Sequence, residues 1–452
     1  MKDMTKGNGM AQVLLFAIPL FAGSVLSQIH VLVDSIIVGR YLGVSDLAAI
    51  GVAGPIVYFI VAVFIGLNIG FAILVSQFKG ADENTNLNRC ITTIVTALAL
   101  GGVLISAVAF LIADPVLTLF GAEASVQHKA KTYFTISSTG LVFGFISMGL
   151  GAALRGLGDG VTPLYVLAVS SVINIVLDFA FIVYWDMGIE GAAYATVVAQ
   201  AVGLLLFCLF ILLKNPVICA AFKEYIFDLA MLKRGALLGL PLAAQHIFLS
   251  VGILLLVWIV IPYGTDVVAA VTIVGRIETF TLIIFIEIAA ALTTFVGQNK
   301  GAANWVRITE TTNNVIYAVV GISLALSVIT LGYSQTLVSI FTSDQAVIAL
   351  SKNYLDVIAP FLFFIAVTIA YHGVFNGMSW VYVPMLCTLL AFCFTRIPLT
   401  YFLGENIGTS GIWWATVIGW VVGWAYSYYM YRRMRGGMIH KQECFQPIIA
   451  ET

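Results

Sequence analysis

The sequence predicts an all-α integral membrane protein of twelve transmembrane helices, arranged as two six-helix lobes related by a pseudo-twofold axis along the membrane normal. Three observations predict it. Of 452 residues, 61% are hydrophobic and 10% charged, against about a quarter charged in a soluble domain. The apolar residues fall in runs such as Leu14 to Val33, Ala48 to Val75 and Ala193 to Leu213, and a helix needs about 20 of them to cross a bilayer. Landmarks of the first half return in the second at a nearly constant offset.

In chain order the apolar runs place spans near 11–39, 48–76, 91–113, 132–154, 163–185 and 191–213, then 237–262, 269–297, 312–334, 354–376, 383–403 and 411–431. The first run is too long for a signal-peptide core and lacks a small-residue cleavage site, so it is expected to stay as a span. Residues 1–213 are read as an N-terminal lobe and 214–236 as a basic cytoplasmic linker. Residues 237–431 are read as a C-terminal lobe and 432–452 as a cytoplasmic tail. With the N-terminus inside, fifteen Lys and Arg fall on cytoplasmic segments, while the outer loops hold Arg40, Lys129, Lys131 and Lys352. That asymmetry predicts a multi-pass protein of the inner membrane with both termini cytoplasmic. The cysteines Cys90, Cys208, Cys219, Cys387, Cys393 and Cys444 contain no C-x-x-C pair, and neither a disulfide nor a metal site beyond Na⁺ is expected.

The repeat rests on several clusters in the same order. Gln77-Phe-Lys-Gly-Ala81 returns as Gln298-Asn-Lys-Gly-Ala302, and Phe120, Val126, Lys131 and Tyr133 return as Phe341, Val347, Lys352 and Tyr354. Gly156 and Pro163 return as Gly377 and Pro384, and Pro19-Leu20 as Pro241-Leu242. Gly188-x-x-Gly-x-x-Tyr-Ala-Thr-Val197 returns as Gly408-x-x-Gly-x-x-Trp-Ala-Thr-Val417. Six spans per repeat give both halves one orientation, and transporters built on such repeats hold substrate between their halves.

Charges inside a bilayer are costly and mark function or a buried pair. Asp34 in the first span and Asp178 in the fifth each lie about 8–10 Å from the outer end at 1.5 Å per residue, with Thr196 at similar depth in the sixth. Asn174 shares the Asp178 face at i−4. Two carboxylates, an amide and a hydroxyl suit a hard cation such as Na⁺, and the same carboxylates would take up protons where burial and mutual repulsion disfavour their charges. The plainer alternative is that both acids face water in an outer vestibule, or are neutralised by Arg40. The repeat maps Asp34 onto Leu256, Asn174 onto Thr395 and Asp178 onto Leu399, so an ion site is expected in the first half only. The second half carries Arg276, Glu278 and Glu287 in the eighth span and Arg396 in the eleventh. These are candidates for contact with substrate, or for a structural pair between one of the acids and one of the arginines. Pro19, Pro55, Pro241 and Pro360 interrupt the hydrogen-bond ladder of their spans and are candidate bending points. His30, His246 and His372 are read as hydrogen-bonded packing residues.

The chain has no Gly-x-x-x-x-Gly-Lys-Ser/Thr phosphate loop, no Gly-x-Ser-x-Gly elbow and no HExxH helix, so it is not expected to hydrolyse nucleotide. An intramembrane enzyme is the alternative outside transport.

These residues resemble a known family over essentially the whole chain. Pro19, Val33-Asp34-Ser35, Gly39-Arg-Tyr-Leu-Gly43, Gln77-x-Lys-Gly-Ala81, Leu154-Arg-Gly-x-Gly-Asp159 with Pro163, Asn174-x-x-x-Asp178 and Gly191-Ala-Ala-Tyr-Ala-Thr196 together resemble the MATE (multidrug and toxic compound extrusion) exporters. The resemblance implies two six-helix lobes in a V around a central cavity and H⁺- or Na⁺-driven antiport of organic, cationic amphipathic compounds. It implies a cation site at Asp34, Asn174, Asp178 and Thr196, supported by Pro19 and Tyr133, as in the DinF-like branch. It also implies a monomer handling small molecules among membrane lipids, with no cofactor beyond the coupling ion, no nucleic acid and no nucleotide-hydrolysing subunit. The NorM-like branch carries an acid in its seventh helix where this chain has Leu249, and the stretch from Met148 to Gly151 is small or apolar. A flippase for a lipid-linked sugar is the second reading within transport, although it would need a more cationic cavity than Arg276 and Arg396 supply.

Overall fold

In hydrocarbon every backbone N–H and C=O must be satisfied within the protein, so long apolar segments become helices. The computed structural model describes residues 2–119 and 124–449, and among them every regular element is helical. Phe120 lies outside the described residues, as do the side chains of Pro55, Lys441 and Cys444. The first half comprises α1 (Gly9–Tyr41), α2 (Val44–Gly80), α3 (Asn84–Leu119), α4 (Ala124–Gly156), α5 (Val161–Asp178) and α6 (Gly188–Lys214). The short helix α7 (Pro216–Lys223) then leads to α8 (Leu229–Val260), α9 (Thr265–Gly301) and α10 (Trp305–Ser339). The chain ends with α11 (Gln345–Ile358), α12 (Leu362–Gly377), α13 (Tyr382–Thr388), α14 (Ile397–Ile407) and α15 (Thr409–Ile449). Eleven helical stretches among the described residues are long and apolar enough to cross a membrane. The remaining long helix, α15, fills its predicted span with Trp413, Trp414, Trp420, Trp424 and several tyrosines in place of aliphatic residues.

The two halves share a helix plan but differ where proline intervenes. α4 is continuous from Ala124 to Gly156, whereas its counterpart 345–377 breaks into α11 and α12 around a 3₁₀ turn, Ala359–Phe361. Pro360 sits in that turn and lacks the N–H an α-helix interior requires. The eleventh span passes from α13 through a π-helical stretch, Leu389–Arg396, into α14 with Pro398 in its first turn. In the first half a π-helical turn, Phe179–Tyr184, follows α5 directly after Asp178.

The chain forms two compact units, Met1–Asp3 with Pro19–Ala243, and Met4–Ile18 with Ala244–Thr452. The division therefore falls inside α1 at Pro19 and inside α8 just beyond Pro241. In the first unit α4 packs against α2, α3 and α6, over a core that includes Phe71, Ile91, Phe145 and Leu154. α2 and α8 meet backbone to backbone: a Cβ on Gly66 would lie 2.3 Å from the Ala243 nitrogen, and one on Gly70 would lie 2.5 Å from that of Gly239. Small residues at four-residue spacing are how helices approach closely in lipid, where no hydrophobic drive separates helix from solvent.

The motifs used for recognition turn out to tie helix ends. Arg155 donates through Nη2 to Asn68 at 2.8 Å while Asn68 donates to the Met148 carbonyl at 2.6 Å, with the Asn68 amide oriented to suit both neighbours. Gly158 adopts φ +83°, and its carbonyl accepts from the Lys2 amide at 3.1 Å. Asp159 then caps the start of α5 by accepting from the Val161 and Thr162 amides. In the second unit Lys300 donates to the Met378 carbonyl at 2.9 Å and the Ser379 hydroxyl at 3.0 Å. Gln298 accepts from the Met4 amide at 3.0 Å.

Arg307 anchors the N-terminal segment of that unit. Its guanidinium donates to the carbonyls of Met4, Lys6 and Gly7 and to Gln12 Oε1, and it lies 5.3 Å over the Phe295 ring. Arg307→Ala is expected to destabilise the protein by about 1.5–3 kcal/mol, the usual worth of charge-assisted hydrogen bonds. Arg307→Lys should restore less than half, because an ammonium lacks the planar fork. Unfolding midpoints in detergent micelles check both, and an unchanged midpoint for the alanine variant would refute the anchor.

Candidate functional site

The predicted residues of the first half come from α1, α4, α5 and α6, all in the first unit. Asp34 lies seven residues from the end of α1, and Asp178 is the last residue of α5 before the π-helical turn. α1 runs to Tyr41 rather than ending near Gly39, which sets Asp34 about 10 Å from the helix end. The carboxyl groups of Asp34 and Asp178 lie within hydrogen-bonding reach of each other. Asp178 is fully buried and Asn174 almost so, while Asp34, Tyr133 and Thr196 are half-buried. The Oδ1 atoms of both aspartates are buried and meet no hydrogen-bond donor among the described residues.

Asn174 is the keystone of the arrangement. With its amide oriented to suit its neighbours, it donates to Asp178 Oδ2 at 3.2 Å and accepts from the Thr196 backbone N–H at 3.2 Å. The i, i+4 spacing within α5 makes the first contact possible, and the second ties α5 to α6. Thr196 thus takes part through its main chain. Its hydroxyl donates to the Ala192 carbonyl at 3.1 Å within its own helix, which leaves the oxygen lone pairs for a cation. Tyr133 stands close to both carboxylates, with Ser137 beside its hydroxyl. Its ring packs among Ile37, Val38, Ile182 and Ala192. Pro19 is on the same helix as Asp34 but fifteen residues away, or roughly 22 Å at 1.5 Å per residue.

Two features escaped the sequence reading. His30 sits one turn before Asp34, near enough for their charges to interact, and its Nδ1 is buried without a hydrogen-bond partner. His372 Nε2 is likewise buried and unpartnered, so neither is fully the hydrogen-bonded packing residue expected. The i, i+4 relation of His30 to Asp34 was present in the sequence and would have flagged it. The π-helical turn after Asp178 carries no proline or glycine and had no such signal.

In the second unit Arg396 is buried and donates through Nη2 to the Tyr354 hydroxyl at 3.2 Å, which in turn lies 3.0 Å from the Thr416 hydroxyl. Tyr354 stacks on Trp413 with centroids 4.1 Å apart. Glu278 lies near both Arg396 and Tyr354. Tyr354 and Thr416 are the repeat counterparts of Tyr133 and Thr196, so this cluster occupies the place of the aspartate pair with a fixed guanidinium instead. Glu287 is half-buried and Arg276 exposed.

The sequence profile of the MatE family matches residues 19–180 and again 241–402. The chain belongs to the MatE family. The two matches are displaced by 222 residues at both limits, the repeat seen in the sequence. The probable multidrug resistance protein YpnP of Bacillus subtilis is 28% identical over 91% of this MatE chain and 92% of its own. The multidrug export protein MepA of Staphylococcus saprophyticus is 23% identical over 89% of both. A solved multidrug resistance MATE family transporter of the MOP superfamily, in an outward-facing conformation, superposes with a TM-score of 0.91. It shares 21% identity over 97% of this chain and 99% of its own. A MATE structure in the bent conformation also reaches 0.91, and one in the straight conformation 0.90. These likenesses place the chain in the two-lobe, twelve-helix MATE fold.

Asn174→Ala strips a donor from Asp178 and an acceptor from the Thr196 amide, and should lower stability by about 1–3 kcal/mol. Thr196→Val keeps the amide and should cost about 0.5 kcal/mol or less. Unfolding midpoints in micelles separate the two, and equal losses would mean that the Thr196 hydroxyl matters after all.

Proposed function

We propose that the chain is an antiporter that exports small organic, cationic amphipathic compounds across the cytoplasmic membrane in exchange for H⁺ or Na⁺ bound at Asp34 and Asp178. The observation that carries this reading is the facing pair of carboxyl groups, drawn from two helices, whose Oδ1 atoms are buried without donors. Two carboxylates at that separation cannot both stay charged cheaply, and one proton or one hard cation relieves them. Asn174 orients Asp178, and the Tyr133 hydroxyl offers a further oxygen. The names of the relatives, multidrug resistance and multidrug export proteins, support efflux as the activity. The location of the pair in the first half agrees with a DinF-like arrangement.

A cation entering this site favours the shape in which α1, α5 and α6 pack more closely, and shifts the equilibrium only by its differential affinity for the two shapes. Pro19 interrupts α1 below the site and is where that helix can bend. The six-helix halves 1–213 and 237–431, the linker 214–236 and the tail 432–452 complete the organisation we infer. Both termini are placed in the cytoplasm by the charge asymmetry, and the lysines at the opposite end support it: Lys129, Lys131 and Lys352 pair with Asp46, Asp114 and Asp356. A cysteine at position 223 should react only with reagent supplied from inside, and external labelling would reverse the orientation.

The test of function is efflux of a panel of cationic dyes from cells and from proteoliposomes, under separately imposed Na⁺ and proton gradients. Asp34→Asn and Asp178→Asn are each expected to abolish gradient-driven efflux while the protein stays folded. The double variant should be little worse than either, since the pair acts as a unit. Glu287→Gln should alter the relative export of the dyes and leave coupling intact. Efflux retained in both aspartate variants would remove the pair from the mechanism. Scrambling of a lipid-linked oligosaccharide, with no dye transport, would establish the flippase reading.

A further inference from the structure

The second unit contains a cavity of about 630 Å³ between α10, α12 and α15, away from every residue assigned above. Its rim carries Arg432 and Arg435 of α15, and its lining includes Asn313, Tyr317, Tyr371 and Tyr431. Among the described residues no acidic side chain lines it, and the two arginines are exposed and form no ion pair.

Its floor is polar and built. Tyr371 and Tyr431 are 5% and 4% exposed, and their rings pack with centroids 4.7 Å apart. Tyr431 donates to Asn313 Oδ1 at 3.4 Å. The Tyr371 hydroxyl belongs to a side chain buried by more than nine-tenths, lines the cavity, and has no hydrogen-bond partner among the described residues. That hydroxyl is left to bond to whatever occupies the cavity. Two guanidinium groups and a phenol converging on one space suit an oxyanion, and Arg in particular matches the geometry of phosphate.

The surface leaving the cavity says what the phosphate is attached to. Tyr317, Leu324 and Val328, at i, i+7 and i+11, form one exposed stripe along α10. From Tyr317 to Val328 the stripe runs roughly 16 Å, about half the ~30 Å hydrocarbon core and so the depth of one leaflet. The cavity lies toward the ends of α10 and α15 that carry Arg307, Arg432, Arg433 and Arg435, which the charge asymmetry places in the cytoplasm. Basic pockets between helices on that side hold anionic headgroups.

We propose that this cavity binds the phosphate-ester headgroup of an anionic phospholipid of the inner leaflet, with an acyl chain lying along Tyr317, Leu324 and Val328. Arg432 and Arg435 hold the phosphate and Tyr371 donates to it. A zwitterionic lipid gains less, because its ammonium finds no carboxylate in the cavity.

The test is native mass spectrometry of the full chain after equilibration in micelles containing equal phosphatidylglycerol and phosphatidylcholine. The wild type should retain phosphatidylglycerol selectively, and Arg432→Gln/Arg435→Gln should reduce that selectivity by on the order of tenfold. Arg432→Lys/Arg435→Lys should keep part of it, and Lys223→Gln/Lys233→Gln, which removes equal charge elsewhere, should keep all of it. Tyr371→Phe deletes only the hydroxyl and gives an independent reading, a smaller loss, should the arginine variant fold poorly. Equal retention in wild type, the arginine variant and Tyr371→Phe would overturn the site. Displacement of the lipid by soluble glycerol 3-phosphate at matched concentration would overturn the role of the acyl chain and assign the cavity to a free phosphate ester.

Discussion

The lack of water in the bilayer core is the constraint on which the structure depends. A polar group placed there must find its partner inside the protein, and an ionisable one must be paired, neutralised or put to use. This chain meets the requirement for its backbone with helices, and for most of its buried hydroxyls by back-bonding to the preceding turn, as Thr196, Ser327 and Thr368 do. Several buried groups escape both solutions, among them Asp34 and Asp178 Oδ1, His30 Nδ1, His372 Nε2 and Arg396 Nε.

The two units answer the same geometry with opposite chemistry. Each keeps a tyrosine from its fourth predicted span and a threonine from its sixth at corresponding positions. In the first unit these flank two carboxylates, which need a mobile cation. In the second they flank Arg396, a cation that never leaves, hydrogen-bonded to Tyr354. The duplicated scaffold thus carries two carboxyl groups in one half and a guanidinium in the other, with Leu256 and Leu399 at the positions of the two aspartates.

The Gln-x-Lys-Gly-Ala stretch of both halves and the Leu154-Arg-Gly-x-Gly-Asp159 stretch of the first, by contrast, serve architecture. They cap helix ends, and Gln298 and Asn299 hold the N-terminal segment together with Arg307, which lies just beyond the motif. Every repeat must close its helix ends, and Gln-x-Lys-Gly-Ala recurs at 298–302, whereas Asp34 and Asp178 have no acidic counterpart in the second half.

Composition, apolar run length and the 220–222 residue offset were sufficient by themselves to determine a membrane-spanning, all-helical, duplicated chain, because span length is set by bilayer thickness and helix by the need to satisfy the backbone. The aspartates, Asn174 and Tyr133 were legible too, since a charge in an apolar run stands out and depth follows from residue counts. Tertiary structure alone decided which atoms meet. The Thr196 amide bonds Asn174 while its hydroxyl donates to the Ala192 carbonyl one turn back. A π-helical turn follows Asp178 with no proline or glycine to announce it, whereas the break at Pro360 was expected from that proline. The cavity of Tyr371, Arg432 and Arg435 had no sequence signature, since its residues come from three helices far apart in the chain and are brought together only by packing.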